Sequence, residues 1–129
     1  MEIVVDASIF IAVLINEPTK KWIVSKTHSA DVLAPHSLRF EIANALSKLV
    51  RRDLLAPELA QTAWSMSLGM PVQLKQIDIG AALRIASSLK IYAYDGFMLQ
   101  CAREASAPLL TLDKRLRKEA LGLGIVVLE

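Results

Sequence analysis

The chain has 129 residues, enough for one domain around a single hydrophobic core. Hydrophobic residues make up 53% and charged residues 22%, which excludes a disordered chain; the lone Cys101 excludes a disulfide scaffold and suggests a reducing compartment. The 15 basic and 13 acidic side chains leave a formal charge of only +2, a balance that selects no particular partner by itself.

In chain order, the β-branched run at residues 3–5 predicts a buried strand ending at Asp6. Ser8 is expected to cap a helix over residues 9–15. Asn16-Glu17-Pro18 breaks that helix, and Pro18 suits the first turn of another, to about Ser29. Residues 32–34 read as a second strand, closed by Pro35. A long helix follows over residues 37–52, then one from Pro57 to about Leu68, with Gly69 as its stop. Residues 72–74 form a third short strand. Asp78 caps a helix to about Leu89, and Asp95 caps the next, to about Ala105. Pro108 leads into a strand over residues 109–112 that ends at Asp113. Residues 114–121 are helical, Gly122 and Gly124 end that helix, and residues 125–128 make the last strand. No repeat, low-complexity segment or linker interrupts this order, so residues 1–129 read as one domain.

The longest apolar stretch, residues 7–15, is well short of the ~20 residues that span a bilayer. Met1-Glu2-Ile3 lacks the basic start of a signal peptide. A cytoplasmic protein with no membrane partner is therefore expected, its mean hydropathy of +0.40 coming from elements buried on more than one side. Strands separated by helices imply parallel pairing and a sheet covered on both faces. The fold class is α/β, a three-layer α/β/α sandwich with a mainly parallel central sheet. In such folds the ligand site lies at the carboxyl ends of the strands.

Two apolar strands finish in a carboxylate there, at Asp6 and at Asp113. Each is either a cap of the next helix or part of a site. Ser8 and Thr111, each two positions away from one of these acids, suit holding a carboxylate or a water, or are ordinary capping and strand residues. Glu41 lies on the edge of the apolar face made by Leu38, Ile42, Ala45, Leu46 and Leu49, and Ser37, Asn44 and Lys48 continue its polar stripe. Phe40, Ala43 and Val50 on the other flank are expected to be buried, which leaves only a narrow polar seam. Asp95 stands at a helix N-terminus, where the dipole favours an anion, and Gly96 permits a tight turn beside it. Four such carboxylates gathered at one sheet end repel one another and stay ionised only if cations bind them. With oxygen donors alone, the ion is Mg²⁺ or Mn²⁺ rather than zinc. One or two such ions suit hydrolysis of a phosphodiester.

The order Val5-Asp6-Ala7-Ser8, Phe40-Glu41-Ile42-Ala43-Asn44-Ala45-Leu46, Tyr94-Asp95-Gly96-Phe97 and Thr111-Leu112-Asp113-Lys114-Arg115-Leu116 resembles a PIN domain, and more narrowly the VapC-type toxins of toxin–antitoxin pairs. The likeness spans the whole chain. It implies a Mg²⁺- or Mn²⁺-dependent endoribonuclease with Asp6, Glu41, Asp95 and Asp113 as its acidic quartet. Asp6 and Asp95 would be the main ligands, Glu41 would hold a water or second ion, and Asp113 would be the most peripheral member. Ser8 and Thr111 match positions where the family often carries a hydroxyl. The resemblance also implies a homodimer and a small VapB-type antitoxin that covers the acidic groove. Where the family often has Ala after the third acid and an aromatic two positions later, this chain has Gly96 and Met98.

Arg51 and Arg52, and Lys114, Arg115, Arg117 and Lys118, flank these acids and suit either phosphate contact with RNA or a solvated helix face. Tyr92 and Tyr94 read as packing residues, with stacking on a base as the alternative. His28 and His36 read as surface, Cys101 as core, and Trp22, Trp64 and the methionines as core or partner-helix contacts. Two rivals stand beside the nuclease: a non-catalytic PIN-like RNA- or protein-binding module, and another Mg-dependent Asp phosphohydrolase. A phosphatase of the second kind usually carries another Asp two residues after the first, where this chain has Ser8. If the quartet faces one cleft, 13 minus 4 leaves 9 acids against 15 bases, an excess of +6 for the rest of the molecule.

Overall fold

The computed structural model describes residues 1–129. Four parallel strands, β1 (Glu2–Val5), β2 (Asp31–Pro35), β3 (Gln73–Lys75) and β4 (Leu109–Leu110), form one sheet in the order β3-β2-β1-β4. Seven helices flank it as the outer layers of a three-layer α/β/α sandwich: α1 (Ala7–Leu14), α2 (Lys20–Thr27), α3 (Leu38–Arg51), α4 (Pro57–Ser67), α5 (Ile79–Leu89), α6 (Ala93–Ala105) and α7 (Lys114–Gly122). α1 packs against α2, α3 and α4, while α6 packs on β1 and β2 and carries α5. No helix is long and apolar enough to cross a membrane.

The strands are short and apolar because both faces are covered. Ile3, Val4, Leu33, Leu109 and Leu110 have no solvent exposure. The chain adds β2 and β3 on one side of β1, then returns to place β4 on the other. The sheet therefore has a topological switch point between β1 and β4, where a crevice opens at the carboxyl ends.

Several sequence expectations shift. Residues 111–112 leave the sheet after Leu110, and residues 125–128 are reduced to a single bridge between Leu109 and Val127. The cause is local. Thr111 oxygen and Leu112 N–H bond the segment around Asp6, so no ladder continues beyond β4. The second helix starts at Lys20, after the turn at Pro18 and Thr19. Asp6, not Ser8, caps α1, accepting from the Ile9 N–H at 3.4 Å. Tyr92, not Asp95, holds the N-cap position of α6, and Asp95 lies inside the first turn.

Leu38, Ile42 and Leu46 bury the expected face of α3, but Phe40 is 70% exposed and Ala43 is exposed as well. Periodicity marks a side chain as apolar, and no second element covers that flank. Gly96 makes no turn. It lies buried within α6, where an added Cβ would stand 2.7 Å from the carbonyl oxygen of Ala82 on α5. His28 and His36 are exposed, and Trp22 and Trp64 pack partly buried against the core. Among the methionines Met98 is core, Met70 packs against it, and Met1 and Met66 are exposed. Cys101 is buried, which pushes its thiol up to about 12 and leaves it a packing residue.

Candidate active site

The four expected carboxylates surround one cleft of about 930 Å³ at the carboxyl end of the sheet. Each also stands at the start of a helix. Asp6 caps α1 and Asp113 caps α7, while Glu41 and Asp95 lie in the first turns of α3 and α6. Capping and site formation are thus one arrangement. Four helix N-termini point their free N–H groups and positive dipole ends toward the acids.

Asp6 is 6% exposed and is clasped by two hydroxyls. Ser8 Oγ donates to Asp6 Oδ1 at 2.6 Å, and Thr111 Oγ1 donates to Oδ2 at 2.6 Å. The same hydroxyl oxygens accept backbone N–H groups, Ser8 from Leu112 at 3.0 Å and Thr111 from Asp113 at 3.0 Å. The clasp therefore ties the end of β1 to the segment leaving β4 and fixes the position of Asp113. Glu41 accepts from Ser37 Oγ at 2.7 Å. Asp113 Oδ1 accepts the N–H groups of Arg115 and Leu116 at 2.9 and 3.2 Å.

None of these acids forms a salt bridge; the one salt bridge of the molecule joins Arg117 and Glu129. Burial pushes the Asp6 carboxyl up to about 6, against the lowering pull of the Ser8, Thr111 and Ile9 hydrogen bonds, and the charge of Asp113 raises it further. Burial likewise pushes Glu41 up to about 7, opposed by Ser37 and reinforced by the charges of Asp6 and Asp95. Asp95 is raised by burial and then by Asp113, with Arg115 pulling the other way. The carboxylates feel one another, as a shared site requires.

No three of them converge into a ready-made metal cage. They ring an open cleft instead. That suits a hard cation that keeps several waters and takes one or two carboxylates. The donor set is all oxygen and the cleft holds more acids than bases, so the residues fit Mg²⁺ or Mn²⁺.

Thr111 has no solvent exposure, so its hydroxyl can be tested with an isosteric change. Thr111→Val leaves one Asp6 oxygen without its donor and the Asp113 N–H without its acceptor. A loss of about 1–3 kcal/mol is expected for a buried group left unpaired, read as a lower urea midpoint with unchanged slope.

The cleft also contains residues that sequence reading did not assign to a site. Asn44 and Lys48 line it, three and seven positions after Glu41 on α3, so the polar stripe is the cleft wall. Glu17 joins it because Asn16 takes a left-handed φ of 58° and the Glu17 N–H bonds back to the Ala12 carbonyl. No local signal marks Glu17. Tyr92 and Tyr94 line the cleft and are 79% and 39% exposed, so packing is not the role of Tyr92. Tyr94 meets Phe97 edge to face at 6.0 Å.

Of the basic residues expected near RNA, only Arg115 lines the cleft. Arg51 and Arg52 are exposed at the end of α3, and Lys114 and Lys118 are exposed on α7. Five acids and two bases, Lys48 and Arg115, line the cleft, leaving 13 bases and 8 acids elsewhere, an excess of five. A separate hollow of about 470 Å³, lined by Ile9, Phe10, Val13 and Ile23 among others, contains none of these site residues.

Fold and site together define a class: a parallel α/β/α domain with an oxygen-only acidic cleft at its switch point. Within that class the chain belongs to the PIN domain family, whose model matches residues 3–120. Its structure is similar to that of PAE2754 from Pyrobaculum aerophilum, with 24% identity over 95% of this chain and 88% of that one, at a TM-score of 0.70. It is also similar to VapC20 of Mycobacterium tuberculosis, described as a Sarcin-Ricin loop cleaving toxin, with 14% identity over 98% of both chains and a TM-score of 0.68. A third likeness is to VapBC2 from Rickettsia felis bound to a DNA fragment from their promoter, with 12% identity over 99% of this chain and 98% of that one, at a TM-score of 0.66. No curated protein matches the sequence.

Proposed function

We propose that this chain is a metal-dependent endoribonuclease that hydrolyses RNA phosphodiester bonds, and that it is the toxin of a VapBC-type toxin–antitoxin pair. The observation that carries the reading is four carboxylates around one cleft, three of them desolvated and none in a salt bridge. Asp6, Glu41, Asp95 and Asp113 line one cleft, and burial together with the neighbouring carboxylates raises the proton affinity of Asp6, Glu41 and Asp95. Membership of the PIN domain family and the toxins among the similar structures support the same reading.

Bound in the cleft, one or two Mg²⁺ or Mn²⁺ ions would supply activation of water and neutralisation of charge at the phosphate. Asp6, fixed by Ser8 and Thr111, and Asp95, in the first turn of α6, would be the principal ligands. Glu41 would orient a water or hold a second ion, steadied by Ser37. Asp113 spends one oxygen on capping α7 and would act from the rim, directly or through water. Arg115 at the cleft wall, with Arg51, Arg52, Lys114 and Lys118 outside it, would attract RNA phosphates. The partners in this reading are RNA, a VapB-type antitoxin and a second copy of the chain, in the cytoplasm.

The test is cleavage of RNA in Mn²⁺ by the wild type and by Asp95→Asn. Loss of at least about a hundred-fold with folding intact is expected when a group tied to the metal is changed. Equal cleavage by both would place the activity elsewhere. RNA binding without cleavage by either would favour the non-catalytic module. Release of phosphate from a small phosphomonoester, with RNA left intact, would favour the phosphohydrolase. The geometry already weighs against that last rival, because the Ser8 hydroxyl in place of a second Asp is bonded to Asp6.

A further inference from the structure

The geometry points to Tyr92 as the platform on which the cleft holds a nucleotide base, in a subsite completed by Arg115; this rests on the ribonuclease reading of the same cleft. Tyr92 occupies the N-cap of α6 and makes no side-chain cap hydrogen bond. Ser, Thr, Asp or Asn at that position would satisfy a free N–H and stabilise the helix. Of the other three helices that bring acids to the cleft, α1 and α7 are capped by the side chains of Asp6 and Asp113, while Ser37 at the start of α3 gives its hydroxyl to Glu41 instead. The α6 start spends its N-cap position on an aromatic ring that serves neither the helix nor a site carboxylate. Such a local conflict between residue and position is expected where function overrides stability.

The ring is also free and well placed. Tyr92 is 79% exposed while lining the cleft beside Asp95, three residues on. Its backbone sits on a fixed frame. Lys90 takes a left-handed φ of 57°, the Ile91 N–H bonds to the Ala86 carbonyl at 3.0 Å, and the Gly96 N–H bonds to the Tyr92 carbonyl at 3.2 Å. Arg115 Nη2 donates to the Lys90 carbonyl at 3.3 Å, which pins a guanidinium against the same loop. Arg115 is close enough to lower the proton affinity of Asp95, yet forms no salt bridge with it. A tyrosine on a fixed backbone has only two side-chain torsions to lose on binding, and every base offers a π-face to stack on it. A guanidinium beside it suits the adjoining phosphate or a second stacked base. The cleft would thus take single-stranded RNA with one base splayed onto Tyr92.

The test uses wild type, Tyr92→Phe and Tyr92→Ser in Mn²⁺. Each is given a short labelled oligoadenylate and an abasic oligomer of the same ribose-phosphate backbone. Anisotropy reads binding and a gel reads cleavage. Wild type and Tyr92→Phe should bind the oligoadenylate roughly ten-fold or more tightly than the abasic oligomer, the contribution of one stacked base. Tyr92→Ser should lose that preference while its Tm holds or rises, because serine restores the cap. A structural role for Tyr92 would not separate the two readouts in this way. An unchanged preference in Tyr92→Ser overturns the subsite, as does an equal loss of affinity for both oligomers; the ring then belongs to a contact of another kind, such as a protein partner. Absence of cleavage in every variant overturns the nuclease reading instead, and the base preference is judged separately by binding.

Discussion

Asp6→Asn is expected to abolish RNA cleavage and at the same time to stabilise the metal-free protein. The two effects have one cause. Asp6 sits at the switch point with its ionised form desolvated and next to other acids, a state that a cation compensates and apo protein does not. Its carboxyl rises from 3.8 to about 6. That corresponds to about 3 kcal/mol against the ionised native state. The folded carboxyl holds its proton more tightly than the unfolded one, so the native state binds more protons between these values. Stability without metal therefore falls as pH rises from 3.8 to about 6, and Glu41 extends the decline to about 7.

Asparagine keeps the shape, the cap and a hydrogen-bonding oxygen but carries no charge. In EDTA near pH 8 the variant should melt above the wild type, and its stability should depend less on pH. Mn²⁺ should raise the Tm of the wild type through preferential binding to the folded state and leave the variant nearly unmoved. Cleavage by the variant should fall at least about a hundred-fold. An equal rise in Tm for both proteins on adding Mn²⁺ would show that the ion binds away from Asp6. A wild type more stable than the variant at high pH in EDTA would show that the buried charge is compensated by something other than metal.

Gly96→Ala is expected to be the most damaging of the small substitutions for the fold. In an exposed helix the change stabilises by up to about 1 kcal/mol. Here the new methyl would stand 2.7 Å from the Ala82 carbonyl oxygen and 3.2 Å from the Ala86 Cβ. A backbone carbonyl cannot rotate away as a flexible side chain can, so α5 must shift against α6. Overpacking of this kind costs about 1–3 kcal/mol or more, which outweighs the helix gain. A net loss of about 1–2 kcal/mol should lower the Tm by several degrees in a domain of this size. Because Asp95 precedes Gly96 directly, the shift should also misplace its carboxylate and reduce RNA cleavage. A Tm at or above the wild-type value would show that the two helices separate freely, with intrinsic propensity in control.

The division between what could be read from the sequence and what could not follows the reach of each physical signal. Strand and helix order was legible because residues 3–5 and 32–34 are unbroken apolar runs, and because Pro57, Asp78 and Gly69 mark helix ends. Asp6, Asp95 and Asp113 were legible because each follows a strand or opens a helix, and Glu41 because it edges the apolar face of its helix. The identity of the caps was less so. Ser8 and Asp6 are both good N-cap residues two positions apart, but the Ser8 hydroxyl is engaged by Asp6 and by the Leu112 N–H, 104 residues away, and Asp6 is the cap. The truncation of β4 has the same origin, since Thr111 and Leu112 exchange ladder bonds for the clasp.

The sequence by itself determined the layered α/β class, the positions of the acids at strand and helix ends, and the polar stripe of α3. Those features depend on local periodicity and end chemistry, which reach only a few residues. Only the tertiary structure decided that the four acids share one cleft, that Glu17, Lys48 and Tyr92 join them, that Phe40 is uncovered, and that Gly96 lets α5 approach α6. The reason is strand order: placing β4 beside β1 brings Asp113 to Asp6 across 107 positions of sequence, and no local interaction can encode that meeting.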